Sequence, residues 1–363
     1  MNGDQASFFE ALATRKTWVM DYLSRDRRKA LFVPADIHDA VFSYVLAGGK
    51  VLRPCVLFFS CGAVGGDEQS AIPAAVAVEL FHTWTLVHDD IMDRDVLRRG
   101  QPTVHEAYRI RALERHGYTE QEARNYGISV AIMTGEVQHG WAISVLAELY
   151  DPLRNNAEVV LKLIQRLETD ALLALVGGQT LDVQYSKAPI ETHNEAAILE
   201  VLWRKTGALY QFAGMAGAMI GLNTTDIQHP LVQAVSTFTG DCGVAFQLQD
   251  DILGLVGDEA SLGKPVGSDI REGKRTTILT HAFRCASSAD RKLMVAVVGN
   301  PNASEQEVLE VRALLLAYDG VTHTRELAQQ CISRAMESLV ILPPSPYRNY
   351  LKQWADFMIG RSF

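Results

Sequence analysis

Two pairs of adjacent aspartates carry the chemistry of this sequence, and each pair follows an apolar run. Residues 86–93 read Leu-Val-His-Asp-Asp-Ile-Met-Asp, and residues 246–253 read Phe-Gln-Leu-Gln-Asp-Asp-Ile-Leu. Aspartate is a poor residue inside a helix and is rarely buried without a partner. Asp89 and Asp93 are four residues apart, so they share one helical face. Two such motifs indicate a site for a hard divalent cation such as magnesium rather than a solvated acidic face.

Basic residues form clusters near these carboxylates. Taken alone, each cluster would be ordinary surface charge, but arginine and lysine together with magnesium suit a diphosphate group. Lys50 and Arg53 are three apart and would share a face if this segment were helical. The clusters are residues 48–54 (Gly-Gly-Lys-Val-Leu-Arg-Pro), Arg98 with Arg99, Lys205 with Thr206, and Lys264 with residues 273–276 (Gly-Lys-Arg-Thr).

Helices must position these groups, because apolar residues recur at helical spacing through most of the chain. Alternating strand patterns and hairpin signals are almost absent. We therefore predict one all-α domain over residues 1–363, built from about ten or more helices with a last helix near 347–359. The clearest helical segments are 72–93, 129–150, 157–175, 195–220 and 230–255.

Composition narrows the class of protein. The chain has 363 residues, is 48% hydrophobic and carries a formal charge of −9, which argues against a nucleic-acid-binding protein. Its five cysteines are scattered without a Cys-x-x-Cys pair, as expected for reduced thiols. The N-terminus shows no basic segment followed by an apolar segment, which is the pattern of a signal peptide. No apolar run reaches the roughly 18 residues of a membrane span. We expect a cytoplasmic protein.

Taken in order, these motifs resemble those of the trans-isoprenyl diphosphate synthases. The resemblance covers roughly residues 40–280 and includes residues 79–103 around the first acidic motif and 246–254 around the second. Residues 178–182 (Gly-Gln-Thr-Leu-Asp) and 263–265 (Gly-Lys-Pro) also fall in the family's order. It implies a single large helical bundle of the isoprenoid synthase type around a central active-site cavity. It also implies a homodimer that condenses isopentenyl diphosphate with an allylic diphosphate.

The resemblance assigns roles residue by residue. Asp89, Asp93 and Asp250 would hold three magnesium ions against the allylic diphosphate, and Asp90 belongs to the same catalytic motif. Arg98, Lys205 and Lys264 would add positive charge to that diphosphate. Thr206 and Gln247 would stabilise the carbocation. The isopentenyl diphosphate site would comprise Lys50, Arg53, His82 and Arg99.

The length of the product depends on residues upstream of the first motif. In this family bulky side chains there stop the growing chain, and the candidates here are Phe81, Trp84 and the small Thr85. We expect a short product, geranylgeranyl diphosphate (C20) first and farnesyl diphosphate (C15) second. The second motif ends at Gly254, where the family usually has aspartate, which puts a third carboxylate there in doubt.

Three other functions remain open from the sequence. Glu79 with His82 and Glu136 with His139 are both Glu-x-x-His pairs, as in di-iron bundles. A terpene cyclase would share the fold and the first motif, although it needs no isopentenyl diphosphate site. A non-catalytic subunit would not need the intact acidic and basic residues.

Overall fold

A computed structural model describes residues 3–152, 156–257 and 267–360. Helices dominate it, and one short hairpin interrupts them. The helices are α1 (Gly3–Arg25), α2 (Ala35–Leu46), α3 (Leu52–Ala63), α4 (Ile72–Asp93), α5 (Val104–His116), α6 (Glu120–Ala147), α7 (Ala157–Arg166), α8 (Leu172–Lys187), α9 (Glu195–Leu202), α10 (Ala208–Leu222), α11 (Pro230–Val256), α12 (Ser268–Glu272), α13 (Thr277–Cys285), α14 (Ser288–Val297), α15 (Glu305–Ala317), α16 (Gly320–Ser338) and α17 (Pro346–Ile359).

The chain divides into two compact units. Unit 1 comprises Met1–Gln165 and Met215–Ile227, and unit 2 comprises Arg166–Gly214 and Gln228–Phe363. The prediction that the chain forms one domain stays a prediction.

Unit 1 is built around α4, which packs against α3 and α6. Nearly every residue of α3 is buried, and the fully buried aromatic side chains of the unit include Phe58, Phe59 and Phe81. The segment Glu68–Asp93 is long and apolar enough to cross a membrane, with a mean hydropathy of 1.3. Within its most apolar stretch of 18 residues, 56% is buried in the protein, as in the core helix of a globular unit.

A buried ion pair ties α1 to this core. Arg15 and Glu68 are 7% and 8% exposed, and the guanidinium Nε and Nη2 donate to the Glu68 carboxylate at 2.8 and 2.7 Å. The guanidinium also lies 4.9 Å from the centre of the Phe59 ring. The two opposite charges therefore neutralise each other in a region with little access to water.

Glu68→Ala should lower the free energy of unfolding by about 3–5 kcal/mol, because Arg15 would be left as a buried charge without its counter-ion. Urea denaturation measures the change. Asp21→Ala is the control, since its pair with Arg25 is 4.0 Å long and both side chains are more than half exposed. Equal, small losses in the two variants would contradict the prediction.

Unit 2 is built around α11, which packs against α16 and α17. Its largest fully buried side chains include Trp354, Tyr210 and Phe238. A second apolar cluster joins the end of α11 to α12, α13, α14 and α15, and it contains Ile252 and Ile270. Ile270 therefore fixes α12, which precedes the basic residues 274 and 275, against the end of α11.

Two single turns of π-helix interrupt segments that the sequence predicted as continuous helices. Leu167–Ala171 separates α7 from α8, and Trp203–Gly207 separates α9 from α10. Such turns re-aim the side chains they carry and are frequent at functional sites. The second turn contains Lys205 and Thr206, two of the predicted site residues.

The cysteines are all free thiols. Cys55, Cys61, Cys242 and Cys331 are buried, whereas Cys285 at the end of α13 is exposed. Burial raises the pKa of Cys61 to about 12 and raises the pKa of each of the other buried thiols as well.

Candidate functional site

Each acidic motif occupies the last turns of a long helix. Asp89, Asp90 and Asp93 end α4, and Asp250 and Asp251 lie two turns from the end of α11. Carboxylates are unfavourable there because the C-terminus of a helix carries partial negative charge. A cation bound at these positions would offset both the helix dipole and the repulsion between the carboxylates.

Asp90 is turned away from solvent and held inside unit 1. It is 1% exposed and accepts hydrogen bonds from Arg98 Nε at 2.9 and 3.0 Å and from the Tyr44 hydroxyl. Burial acts to lower the pKa of Arg98, but the bonds and charge of Asp90 outweigh it and raise that pKa. Asp90 therefore anchors Arg98, and its oxygens are already used by protein donors.

Asp251 is likewise buried and ion-paired inside unit 2, through one of its two oxygens. It is 2% exposed, and its Oδ1 accepts from Lys274 Nζ at 2.9 Å and from Gln247 Nε2 at 3.2 Å. In each motif the second aspartate is thus buried against a cation that follows it in sequence.

The first aspartate of each pair is placed differently. Asp89, Asp93 and Asp250 are half-buried and retain access to solvent. Across the described parts of the chain, no group of three or more His, Cys, Asp and Glu side chains is placed to share a metal ion. This donor set fits magnesium, which takes one or two carboxylates from the protein and completes its shell with water and phosphate oxygens.

The lack of such a group among the described residues argues against the di-iron alternative. Glu79, His82, Glu136 and His139 all lie in the described part of the chain, yet they do not form a shared centre. The His139 ring instead packs against Phe81 and Trp84 at 5.6 and 5.2 Å between centroids.

A hairpin brings the two arginines back beside α4. β1 (Leu97–Arg98) pairs with β2 (Gln101–Pro102), and the turn residues Arg99 and Gly100 have φ values of 52° and 74°. Two successive positive φ values are typical of the tight turns that join antiparallel strands. Arg99 Nη1 then donates to the carbonyl of Gly48 at 2.6 Å, which joins the hairpin to the glycine loop before α3.

These elements enclose a cavity of about 300 Å³ within unit 1. Burial, followed by the charges of Arg53, Arg98 and Arg99, holds the pKa of His82 well below its usual range. A neutral imidazole still has one N–H group that can donate a hydrogen bond to an anion. The charged and polar lining residues are Ser43, Tyr44, Glu79, His82, Thr83, Arg98, Arg99 and Gln101.

Lys50 and Arg53 do not share a helical face as the spacing allowed. Val51 has φ 52° and ψ 38°, a left-handed conformation, and α3 begins only at Leu52. Lys50 therefore precedes the helix and is exposed, while Arg53 lies within its first turn and is half-buried.

In unit 2, the π turn places Lys205 and Thr206 against α8 and α11. Lys205 Nζ lies 2.7 Å from Asp182 Oδ2, and Thr206 Oγ1 donates to Gln247 Oε1 at 3.0 Å. Gly178 makes this approach possible, because a Cβ there would lie 2.7 Å from the Lys205 amide nitrogen. Lys264 lies outside the described residues.

The predicted chain-length residues lie three and four residues apart on α4, so they share one face of the helix but differ in burial. Phe81 is fully buried, and the half-buried Trp84 indole packs against Phe81 at 4.9 Å and His88 at 5.7 Å. Thr85 is half-buried, and its hydroxyl donates to the His82 carbonyl at 2.7 Å. Trp84 is thus the bulky side chain that keeps some accessible surface.

Sequence reasoning missed Tyr44 and the partner of Lys274. Tyr44 is a single tyrosine on an ordinary amphipathic helix, and nothing in its neighbourhood marks it. Lys274 belongs to a basic cluster that was visible in the sequence, but its partner Asp251 is 23 residues away.

Known proteins are similar to this chain in sequence and in fold. The pattern that defines the polyprenyl synthetase family matches residues 35–315. A geranylgeranyl diphosphate synthase of Sulfolobus acidocaldarius is 33% identical over 347 residues, which is 94% of each chain.

Two solved structures illustrate the likeness in fold. The geranylgeranyl pyrophosphate synthetase of Pyrococcus horikoshii is 33% identical with a TM-score of 0.80, over 98% of this chain and 100% of that one. The geranylgeranyl pyrophosphate synthase of Corynebacterium glutamicum, solved with isoprenyl diphosphate and magnesium, is 27% identical with a TM-score of 0.82, over 98% and 99% of the two chains.

Proposed function

Because this chain belongs to the polyprenyl synthetase family, we propose that it condenses isopentenyl diphosphate with an allylic diphosphate to form geranylgeranyl diphosphate. The family resemblance and the all-α fold expected from the sequence are thereby confirmed. The relatives from Sulfolobus acidocaldarius and Pyrococcus horikoshii are both named for geranylgeranyl diphosphate. Their names favour the C20 product over farnesyl diphosphate for this chain.

One observation carries the choice of reaction. The cavity of unit 1 is lined by His82 and Arg99, which we assign to isopentenyl diphosphate, whereas the carboxylates Asp89 and Asp93 of α4 do not line it. A condensation needs two diphosphate sites, one with metal ions and one without. A cyclase needs only the first, so the second site favours prenyl transfer.

We assign the roles as follows. Asp89, Asp93 and Asp250 hold magnesium, for which three ions per active site remain the family-based proposal. Bound magnesium would neutralise the charge that develops on the leaving diphosphate. Arg98, Lys205 and Lys264 add fixed positive charge to that group. Asp90 acts through Arg98, which it anchors.

The remaining residues serve the second substrate and the cation. Lys50, Arg53, His82 and Arg99 bind isopentenyl diphosphate, and the oxygens of Thr206 and Gln247 stabilise the carbocation. The departing diphosphate takes the final proton, so no protein base is required. Apolar helix faces exclude water, which would quench the cation. A cytoplasmic location and a homodimer remain part of this proposal.

Incubation with labelled isopentenyl diphosphate, each allylic primer and magnesium tests the proposal. Chain-elongated diphosphate of C20 length is the expected product. Hydrocarbon formed without isopentenyl diphosphate would instead identify a cyclase, and no turnover with any primer would identify a non-catalytic subunit.

Trp84→Ala should lengthen the product beyond that of the wild-type enzyme, because it removes the bulky side chain near the first motif. Chromatography of the dephosphorylated products measures their length. Trp18→Ala is the matched control, since Trp18 is also half-buried in unit 1 but packs on Phe58. The same product spectrum in wild type and Trp84→Ala would sink the assignment of Trp84.

A further inference from the structure

We infer that Lys274 is a positioning residue, which fixes the direction of the Thr206 hydroxyl through Asp251 and Gln247. This inference rests on the proposed function, in which Thr206 faces the carbocation. It concerns unit 2 alone and requires no contact beyond those described within that unit.

A continuous chain of polar contacts joins the two residues. Lys274 Nζ lies 2.9 Å from Asp251 Oδ1, Gln247 Nε2 donates to the same oxygen at 3.2 Å, and Thr206 Oγ1 lies 3.0 Å from Gln247 Oε1. Thr206 and Asp251 are 5% and 2% exposed, so water does not compete for these groups. Each link is within hydrogen-bonding distance.

The chemistry of the groups gives this chain a direction. An ion-paired carboxylate only accepts hydrogen bonds, so Asp251 must face the NH2 group of Gln247. The carbonyl oxygen of Gln247 then faces Thr206, and the Thr206 hydroxyl must donate to it. The lone pairs of Thr206 Oγ1 consequently point away from Gln247. A hydroxyl that presents lone pairs is the form that stabilises a positive charge.

The backbone around Lys274 holds its ammonium group beside Asp251. Gly273 has φ 77°, which favours glycine, and ends α12 immediately before Lys274. The Lys274 amide nitrogen donates to the Asp269 carbonyl at 2.9 Å, and Asp269 Oδ2 lies 3.7 Å from Lys274 Nζ. Ile270 anchors the same short helix in the apolar cluster of unit 2. The ammonium group therefore meets Asp251 from a fixed backbone.

An ordinary structural ion pair would have the same distances, so the test must separate stability from catalysis. Lys274→Met should lower kcat for chain elongation roughly tenfold to a hundredfold, the scale of a misplaced group, with the KM of each substrate within about threefold of wild type. Lys274→Arg, which keeps the charge, should recover most of the lost activity.

A double-mutant cycle with Thr206→Val supplies the decisive readout. If Lys274 acts through Thr206, the variant Lys274→Met/Thr206→Val should be no slower than the slower single variant. If the losses in kcat of the two single variants multiplied in the double variant, the inference would be overturned. An unchanged kcat in Lys274→Met would also overturn it. Arg15→Met, which breaks a buried ion pair in unit 1, is the control for lost stability and should show multiplying effects with Thr206→Val.

Lys274→Gln keeps the test decisive if Lys274→Met does not fold, because it removes the charge and leaves a polar side chain beside Asp251. It should also fail to multiply with Thr206→Val, and multiplying effects would overturn the inference. A wild-type protein without elongation activity would instead contradict the proposed function, which distinguishes the two failures.

Discussion

Asp89→Asn should reduce prenyl transfer by at least about 10³-fold, whereas Asp90→Asn should act mainly on stability and on Arg98. Loss of a carboxylate that holds a catalytic metal removes several kcal/mol of charge stabilisation in the transition state, which corresponds to a rate effect of this size. Asp89 is half-buried and lies four residues from Asp93, whereas Asp90 is 1% exposed and bound by Arg98 and Tyr44.

Magnesium titration separates the two roles. We expect Asp89→Asn to raise the magnesium concentration that gives half-maximal rate, and Asp90→Asn to leave that concentration near the wild-type value. Thermal unfolding should show the opposite order, because Asp90→Asn leaves Arg98 without its counter-ion. An equal shift in magnesium requirement for both variants would show that Asp90 also binds metal.

Arg99→Met should raise the KM for isopentenyl diphosphate about tenfold to a hundredfold, while the KM for the allylic substrate changes little. A charge-assisted hydrogen bond contributes about 1.5–3 kcal/mol, which sets this range. Arg99 lines the cavity of unit 1 and is held by the Gly48 carbonyl, so its guanidinium is placed before substrate arrives. Initial rates with one substrate varied at a time measure both constants.

Arg94→Met is the matched control for Arg99→Met. Arg94 is also exposed and has a positive φ of 59°, but it ends α4 and does not line the cavity. Its loss should leave both KM values near wild type. Similar effects of the two substitutions would mean that general positive charge, rather than the placed guanidinium of Arg99, attracts isopentenyl diphosphate.

The helices that carry the acidic motifs were predictable because their apolar periodicity is strong. The expected segments 72–93 and 230–255 agree with α4 and α11 to within one residue. Helix α6 begins nine residues before the expected start at 129, since Thr119 and Glu122 form a capping box that the periodicity did not include.

Backbone irregularities were not predictable in the same way. The π turn at Trp203–Gly207 and the left-handed Val51 depend on contacts with distant residues, and a β-branched residue disfavours positive φ. The hairpin turn at Arg99 and Gly100 was not predicted either, because arginine before glycine is not one of the residue pairs that mark such a turn. These irregularities decide where Lys50, Lys205 and Thr206 point.

Side-chain partners were the least predictable part of the site. Spacing alone treats both aspartates of each pair alike, and only the family resemblance gave the metal role to Asp89, Asp93 and Asp250. The structure separates a half-buried first residue from a buried second one. That division depends on Tyr44, Arg98 and Lys274, which lie on other segments of the chain. Spacing along one helix carries no information about such partners.

The single exposed thiol at Cys285 makes this protein suitable for spectroscopic labelling without prior removal of cysteines. All five cysteines lie in the described part of the chain, and burial both shields the other four and keeps them protonated. A maleimide dye or spin label should therefore attach at one known position, at the end of α13 in unit 2.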